Sequence, residues 1–192
     1  MYDAAADPYC YEGTTILKNL RGIRDEAALE LFEKAMTDQR ADEPFPEGRF
    51  SISHYKAVHH HLFQDVYAWA GRFRTVRIAK DRNAFCYPEH IGREMRLLFE
   101  ALRKTGMLHG LTSRKFAIAA SAFLSTLNAI HPFREGNGRT QLSFLALLAE
   151  RAGHPFNLER LAPERFLSAM VTSFRGNEKP LLAEISRLVG AR

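Results

Sequence analysis

Apolar residues in this chain recur three and four positions apart almost everywhere, and only between Arg72 and Tyr87 does that period change. A sequence with so uniform a helical period buries its apolar stripes by packing helix on helix. The first helix is predicted from Asp25 to Arg40, with Ala28, Leu31, Phe32 and Ala35 on one stripe. Ala41 to Phe50, with Pro44, Pro46 and Gly48, reads as a loop. Ser51-Ile52-Ser53 offers a helix start, and Tyr55, Val58, Leu62, Val66 and Trp69 carry the period up to Gly71. Phe73, Val76 and Ile78, a turn-like Lys80 to Asn83, and Ala84 to Tyr87 then predict one hairpin over 72–87. Helices return at Glu89 to Lys104, Ser113 to Ile130 and Arg139 to Arg151, the last stopped by Gly153. Two shorter ones fill about 163–190, and the first 24 residues read as an extended arm with Asp7-Pro8-Tyr9 as a turn. The predicted fold class is all-α with one small β-hairpin, in a single domain over residues 1–192.

Composition narrows the function classes. With 46% hydrophobic and 26% charged residues, the chain can build an ordinary core, which excludes a disordered or collagenous protein. No apolar run approaches the roughly 20 residues of a membrane span, and Met1 opens a polar segment rather than a signal peptide. Cys10 and Cys86 make neither a disulfide framework nor a zinc spacing, so the expected compartment is the reducing cytoplasm. The net charge of +5 is spread along the chain, apart from Arg72, Arg74, Arg77, Lys80 and Arg82. So dispersed a charge disfavours a nucleic-acid grip. Three consecutive histidines, His59 to His61, point about 100° apart on a helix and cannot converge on one metal ion; a solvent or packing role is expected for them.

The chemistry concentrates in His131-Pro132-Phe133-Arg134-Glu135-Gly136-Asn137-Gly138-Arg139-Thr140, between two predicted helices. Gly136, Asn137 and Gly138 can all take positive φ, so their N–H groups can converge on an anion. A helix N-terminus follows directly and favours phosphate, and Arg139 adds a fork of donors in its first turn. Glu135 is a carboxylate placed to share a hard cation such as Mg²⁺ with phosphate oxygens. His131 can take a proton near neutral pH. A Gly-Asn-Gly tripeptide alone is a common turn, whereas the whole string by accident has odds on the order of one in a million.

His131 to Arg139 resembles the signature loop of the Fic family. Asp7-Pro8-Tyr9 with Leu17-Lys18-Asn19 and Gly22-Ile23 resembles that family's N-terminal arm. His60 to Phe63 with Val66 to Gly71 resembles the helix before its β-hairpin, the flap. The arrangement is most similar to the bacterial Fic toxins of toxin–antitoxin modules. The resemblance implies a protein adenylyltransferase, which moves AMP from ATP to a hydroxyl side chain of a target protein with Mg²⁺. In those terms His131 is the base and Glu135 the metal ligand. Gly136, Asn137 and Gly138 bind phosphate through backbone and amide groups, and Arg139 neutralises the leaving phosphates. Phe133 anchors the loop in the core. The target protein would dock on the 72–87 hairpin by β-augmentation, with type II topoisomerase subunits as the family's expected targets.

Two departures qualify the resemblance. The family pattern carries a second Arg three residues after the first, and here Leu142 stands in that place. Either nucleotide binding is weakened, or the donor differs, or another Arg reaches in; the alternative function is a catalytically weak or altered-donor module that binds a nucleotide or a partner. The family's inhibitory Ser/Thr-x-x-x-Glu-Gly/Asn helix has no match either, since Thr172 to Glu178 has the wrong spacing. The expected restraint is a separate antitoxin chain.

Overall fold

The computed structural model describes residues 7–80 and 83–190. Its helices are α1 (Glu26–Ala41), α2 (Ile52–Phe63), α3 (Pro88–Lys104), α4 (Ser113–Ile130), α5 (Asn137–Arg151), α6 (Pro163–Phe174) and α7 (Lys179–Leu188). Two single 3₁₀ turns, Gly106–Leu108 and Leu158–Arg160, join them. The helix starts follow local chemistry. Asp25, Ser51 and Thr112 each accept a backbone N–H three residues on, as N-cap side chains do. Pro88 and Pro163 stand at the first positions of α3 and α6, where a missing N–H costs nothing.

α4 is the centre of the molecule and packs against α3, α5, α6 and α7, while α2 lies between α1 and α5. Phe116, Ala117, Ala120, Leu124 and Leu127 of α4 are fully buried. An aromatic cluster closes the space between α2, α3, α4 and α5: Phe144 meets Tyr55, Phe50 and Phe99 at centroid distances of 5.2, 5.6 and 5.7 Å. The aromatic side chains thus serve the core, as their helical spacing suggests. Neither cysteine forms a disulfide. No helix among the described residues is long and apolar enough to cross a membrane.

Three predicted elements need correction. The stripe of α1 is misassigned: Ala28, Leu31 and Ala35 are exposed, and the face turned inward is Leu29, Glu33 and Thr37. Two of those three are polar, so apolar spacing could not reveal the face; their partners lie in distant sequence. The second helix stops at Phe63 rather than running to Gly71. Its continuation is diverted because the Val66 carbonyl accepts the Leu20 N–H at 2.9 Å and Asp65 is taken by Arg40 at 2.6 Å. The 72–87 hairpin contracts to β1 (Ala79–Lys80) and β2 (Asn83–Ala84), antiparallel over Ala79↔Ala84 and Lys80↔Asn83, plus one bond from the Phe85 N–H to the Ile78 carbonyl. Asp81 and Arg82 lie outside the described residues.

Below that ladder a side chain replaces strand pairing. The buried Arg74 guanidinium donates to the Val76 and Cys86 carbonyls on the two arms at 2.6 and 2.5 Å. The same group reaches the His131 and Ile130 carbonyls at 2.8 and 3.2 Å, at the end of α4, where the helix dipole favours a cation. Arg74 is therefore no part of a basic surface. It ties the hairpin to the loop that follows α4.

Candidate active site

The loop from His131 to Gly136 begins and ends on a left-handed residue. His131 caps α4 with φ +48° and Gly136 precedes α5 with φ +78°. At Gly136 the requirement is double, because a Cβ there would lie 2.2 Å from the Phe63 ring. Only glycine meets both conditions. Between them Phe133 is wholly buried, stacked on the imidazole of His59 at 3.7 Å and on Tyr55 at 5.4 Å. It anchors the loop, as expected.

Asn137 holds the loop's shape. Its Oδ1 accepts the Phe133 N–H at 2.9 Å and its Nδ2 donates to the Phe133 carbonyl at 2.8 Å. Oδ1 and one N–H of the buried amide are thereby given to the Phe133 backbone; Asn137 also lines the cavity, where its backbone N–H stands at the helix start. The helix also begins at Asn137, two residues before its predicted start at Arg139. No side chain caps this end. Gly138 adds no Cβ above it, and space stands open there. The result is a bare helix N-terminus facing a cavity, suited to an anion.

That cavity is about 660 Å³, lined by His131 and by Glu135 to Arg139 on one side and by Phe166, Met170 and Phe174 of α6 on another. The structure therefore brings every sequence-predicted site residue to one place. The His131 imidazole lies flat on Phe85 at 3.9 Å, and Phe85 on Phe174 at 4.5 Å. Its Nδ1 is 3.3 Å from the Asn128 carbonyl. A carbonyl only accepts, so Nδ1 carries a proton; in the neutral tautomer this makes Nε2 the lone-pair nitrogen, the atom a base uses. Glu135 is half exposed, with Oε1 accepting the Gly136 N–H at 2.8 Å.

Arg139 reaches across to α1. It is ion-paired with Glu33, donates to Thr37 Oγ1 at 3.1 Å, and lies 4.8 Å above the Phe63 ring. Glu33 also accepts the Tyr67 hydroxyl, and burial together with this carboxylate pushes the Tyr67 phenol up. Arg134 in turn joins the loop to the N-terminal arm through Asp7 at 2.9 Å.

Sequence reasoning missed Glu33 and underrated His59. The His59 ring is buried; Nδ1 accepts the Gly71 N–H at 2.8 Å, so Nε2–H donates to the Glu135 carbonyl at 3.0 Å. Burial lowers its pKa to about 3. The only trace of this in the sequence is a histidine on the apolar stripe, one turn after Tyr55.

Leu142 lies one turn beyond Arg139 and lines the same cavity, packed against the core. Where the family pattern has a cation, this wall is apolar. Arg175, the C-cap of α6, also lines the cavity.

The Fic/DOC family model matches residues 49–149. A protein of Sinorhizobium fredii named "Probable protein adenylyltransferase y4lH" is 50% identical over 98% of this chain and 98% of its own length. Protein adenylyltransferase VbhT of Bartonella schoenbuchensis is 36% identical over 97% of this chain, which spans 40% of VbhT. Among solved structures, the BepC effector of Bartonella tribocorum with bound AMPPNP superposes with a TM-score of 0.83 at 27% identity, covering 94% of this chain and 95% of that one. The family model spans more than half of the residues, loop included, and a half-identical relative matches nearly the whole length: this chain belongs to the Fic/DOC family.

Proposed function

We propose that this protein is a protein adenylyltransferase, transferring AMP from ATP to a hydroxyl side chain of a target protein. One observation carries the reading: the lone-pair nitrogen of His131, the uncapped start of α5 and Arg139 belong to residues lining one cavity. The names of the relatives and the nucleotide analogue in BepC support it.

In this reading the α5 N-terminus and Arg139 hold the donor's phosphates, and His131 stands outside them. The target hydroxyl gives its proton to His131 Nε2 as its oxygen bonds to the α-phosphorus. The bond from the α-phosphorus to the bridging oxygen breaks, and pyrophosphate leaves. A base so placed contributes about 10²- to 10⁴-fold. Glu135, a half-exposed carboxylate beside the α5 N-terminus in the same cavity, would hold a Mg²⁺ ion, a hard cation that takes oxygen ligands. When bound, the ion would supply positive charge to the donor phosphates.

Docking of the target on the β1–β2 hairpin, a toxin role and restraint by a separate antitoxin chain belong to the same proposal. In this reading an extended segment of the target adds to the edge of the β1–β2 ladder, a sequence-tolerant β-augmentation. A second reading, an altered donor or a binding role, is favoured by Leu142 and the apolar α6 wall.

His131→Ala should abolish transfer of label from α-labelled ATP to proteins of a cell lysate while ATP affinity stays within about twofold. Transfer by the variant at the wild-type rate would remove His131 from the base role. Label from CTP, GTP or UTP but not ATP would select the altered-donor reading.

A further inference from the structure

Glu33 is part of no motif, and 106 residues separate it from Arg139, yet it makes the closest contact of that guanidinium. It occupies the inward face of α1 between Leu29 and Thr37, with its side chain 12% exposed. A carboxylate so little hydrated is stable only if paired and hydrogen-bonded. Glu33 has both, from Arg139 and from the Tyr67 hydroxyl.

The contacts of Arg139 define an orientation as well as a charge balance. Thr37 lies one turn along α1, and its hydroxyl proton is committed to the Glu33 backbone carbonyl at 2.9 Å. Oγ1 therefore meets the guanidinium as an acceptor, at 3.1 Å from Nη1. The carboxylate takes Nη2, and the Phe63 ring lies against the guanidinium face at 4.8 Å. A long side chain held at three points loses its rotamer freedom on folding rather than on binding, which favours the ligand it is aimed at. Two of its five N–H groups point to α1, and the residue itself lines the cavity that faces the α5 N-terminus. Glu33 cannot swing aside to yield its place, because the Tyr67 bond and its buried seat hold it.

We infer that Glu33 is a positioning residue: through its ion pair it fixes the Arg139 fork in the orientation that receives the outer phosphates of the donor. The inference rests on the donor-nucleotide reading above. It assigns α1 a part in donor binding.

The experiment measures dissociation constants of ATP and AMP by calorimetry for the wild type, Glu33→Ala, Glu33→Gln, Arg139→Ala and the Glu33→Ala/Arg139→Ala double variant. Glu33→Ala should weaken ATP about 10-fold, the weight of one charge-assisted hydrogen bond, and leave AMP, which lacks outer phosphates, within about twofold. Glu33→Gln, whose amide oxygen can still accept from Arg139, should recover part of the loss. The double variant should bind ATP no worse than Arg139→Ala alone, as coupled residues do. Equal losses for ATP and AMP, additive losses in the double variant, or tighter ATP binding without Glu33 would each overturn the inference. The Gln variant, nearly isosteric, decides the matter if the Ala variant does not fold. A wild type that binds no ATP would instead defeat the donor reading, and the inference with it.

Discussion

Leu142 is the residue on which the donor question turns. It shares a face of α5 with Arg139, lines the cavity and packs against the core, so its side chain excludes charge from the wall where an outermost phosphate would be neutralised. If the site is built for ATP and merely lacks this contact, Leu142→Arg should raise the rate of transfer from ATP by about 10- to 100-fold, the worth of one charge-assisted hydrogen bond. The gain should be much smaller with ADP, which lacks the γ-phosphate. Rates for both proteins over the four nucleoside triphosphates and ADP supply the comparison. An unchanged ATP rate in a folded Arg variant would mean that the apolar wall suits another donor. Asn137 carries a related lesson. Spacing alone would give its whole amide to phosphate, but a buried amide needs partners within the fold, and the Phe133 backbone takes Oδ1 and one N–H of Nδ2.

At the scale of elements, the hairpin and α6 meet at the base. Phe85, just past β2, lies between the His131 imidazole and Phe174 at the end of α6, in a column of three near-parallel rings. Pairs of this kind contribute about 0.5–1.5 kcal/mol beyond their burial. More important for catalysis, a ring clamped on one face and bonded at Nδ1 has little freedom left. Phe85→Ala should lower the single-turnover rate of transfer roughly 10-fold, by analogy with other small misplacements of catalytic groups, and should change ATP affinity much less. A matching fall in affinity would show instead that the cavity itself had collapsed. The same clamp gives the hairpin a physical route to the base: whatever moves 83–86 moves Phe85.

Across the whole molecule, His59 ties three parts together: α2, the entry to the hairpin at Gly71, and the signature loop at Glu135. Burial holds its pKa near 3, against 6.5 in the open chain. As pH falls through about 6.5 the unfolded chain takes up this proton while the folded one refuses it until about pH 3. Folding stability is therefore complete above that window and declines within it, by about 1.4 kcal/mol per pH unit once the unfolded histidine is charged. Thermal unfolding of the wild type should move to lower temperature between about pH 7 and pH 4.5. His59→Gln should start lower and show a flatter dependence over the same range, because one titrating group is gone. Parallel slopes for the two proteins would show that other groups set the acid sensitivity.

What depends on neighbours within a turn or two is legible in the order of the residues. Asp25, Ser51 and Thr112 mark helix starts because an N-cap needs only a side-chain oxygen and an N–H three residues away. The His131–Arg139 string was equally legible, because its turn, helix start and chemistry fall within nine residues. Tertiary structure decided the rest. It turned Glu33 and Thr37 inward on α1, ended α2 at Phe63, and spent Arg74 on backbone carbonyls and Asn137 on Phe133. In all but the last of these the deciding partner lies far along the chain: Arg139 for Glu33, Leu20 for Val66, His131 for Arg74. A polar side chain is buried only where such a partner waits, and that partner's position exists only once the helices have packed.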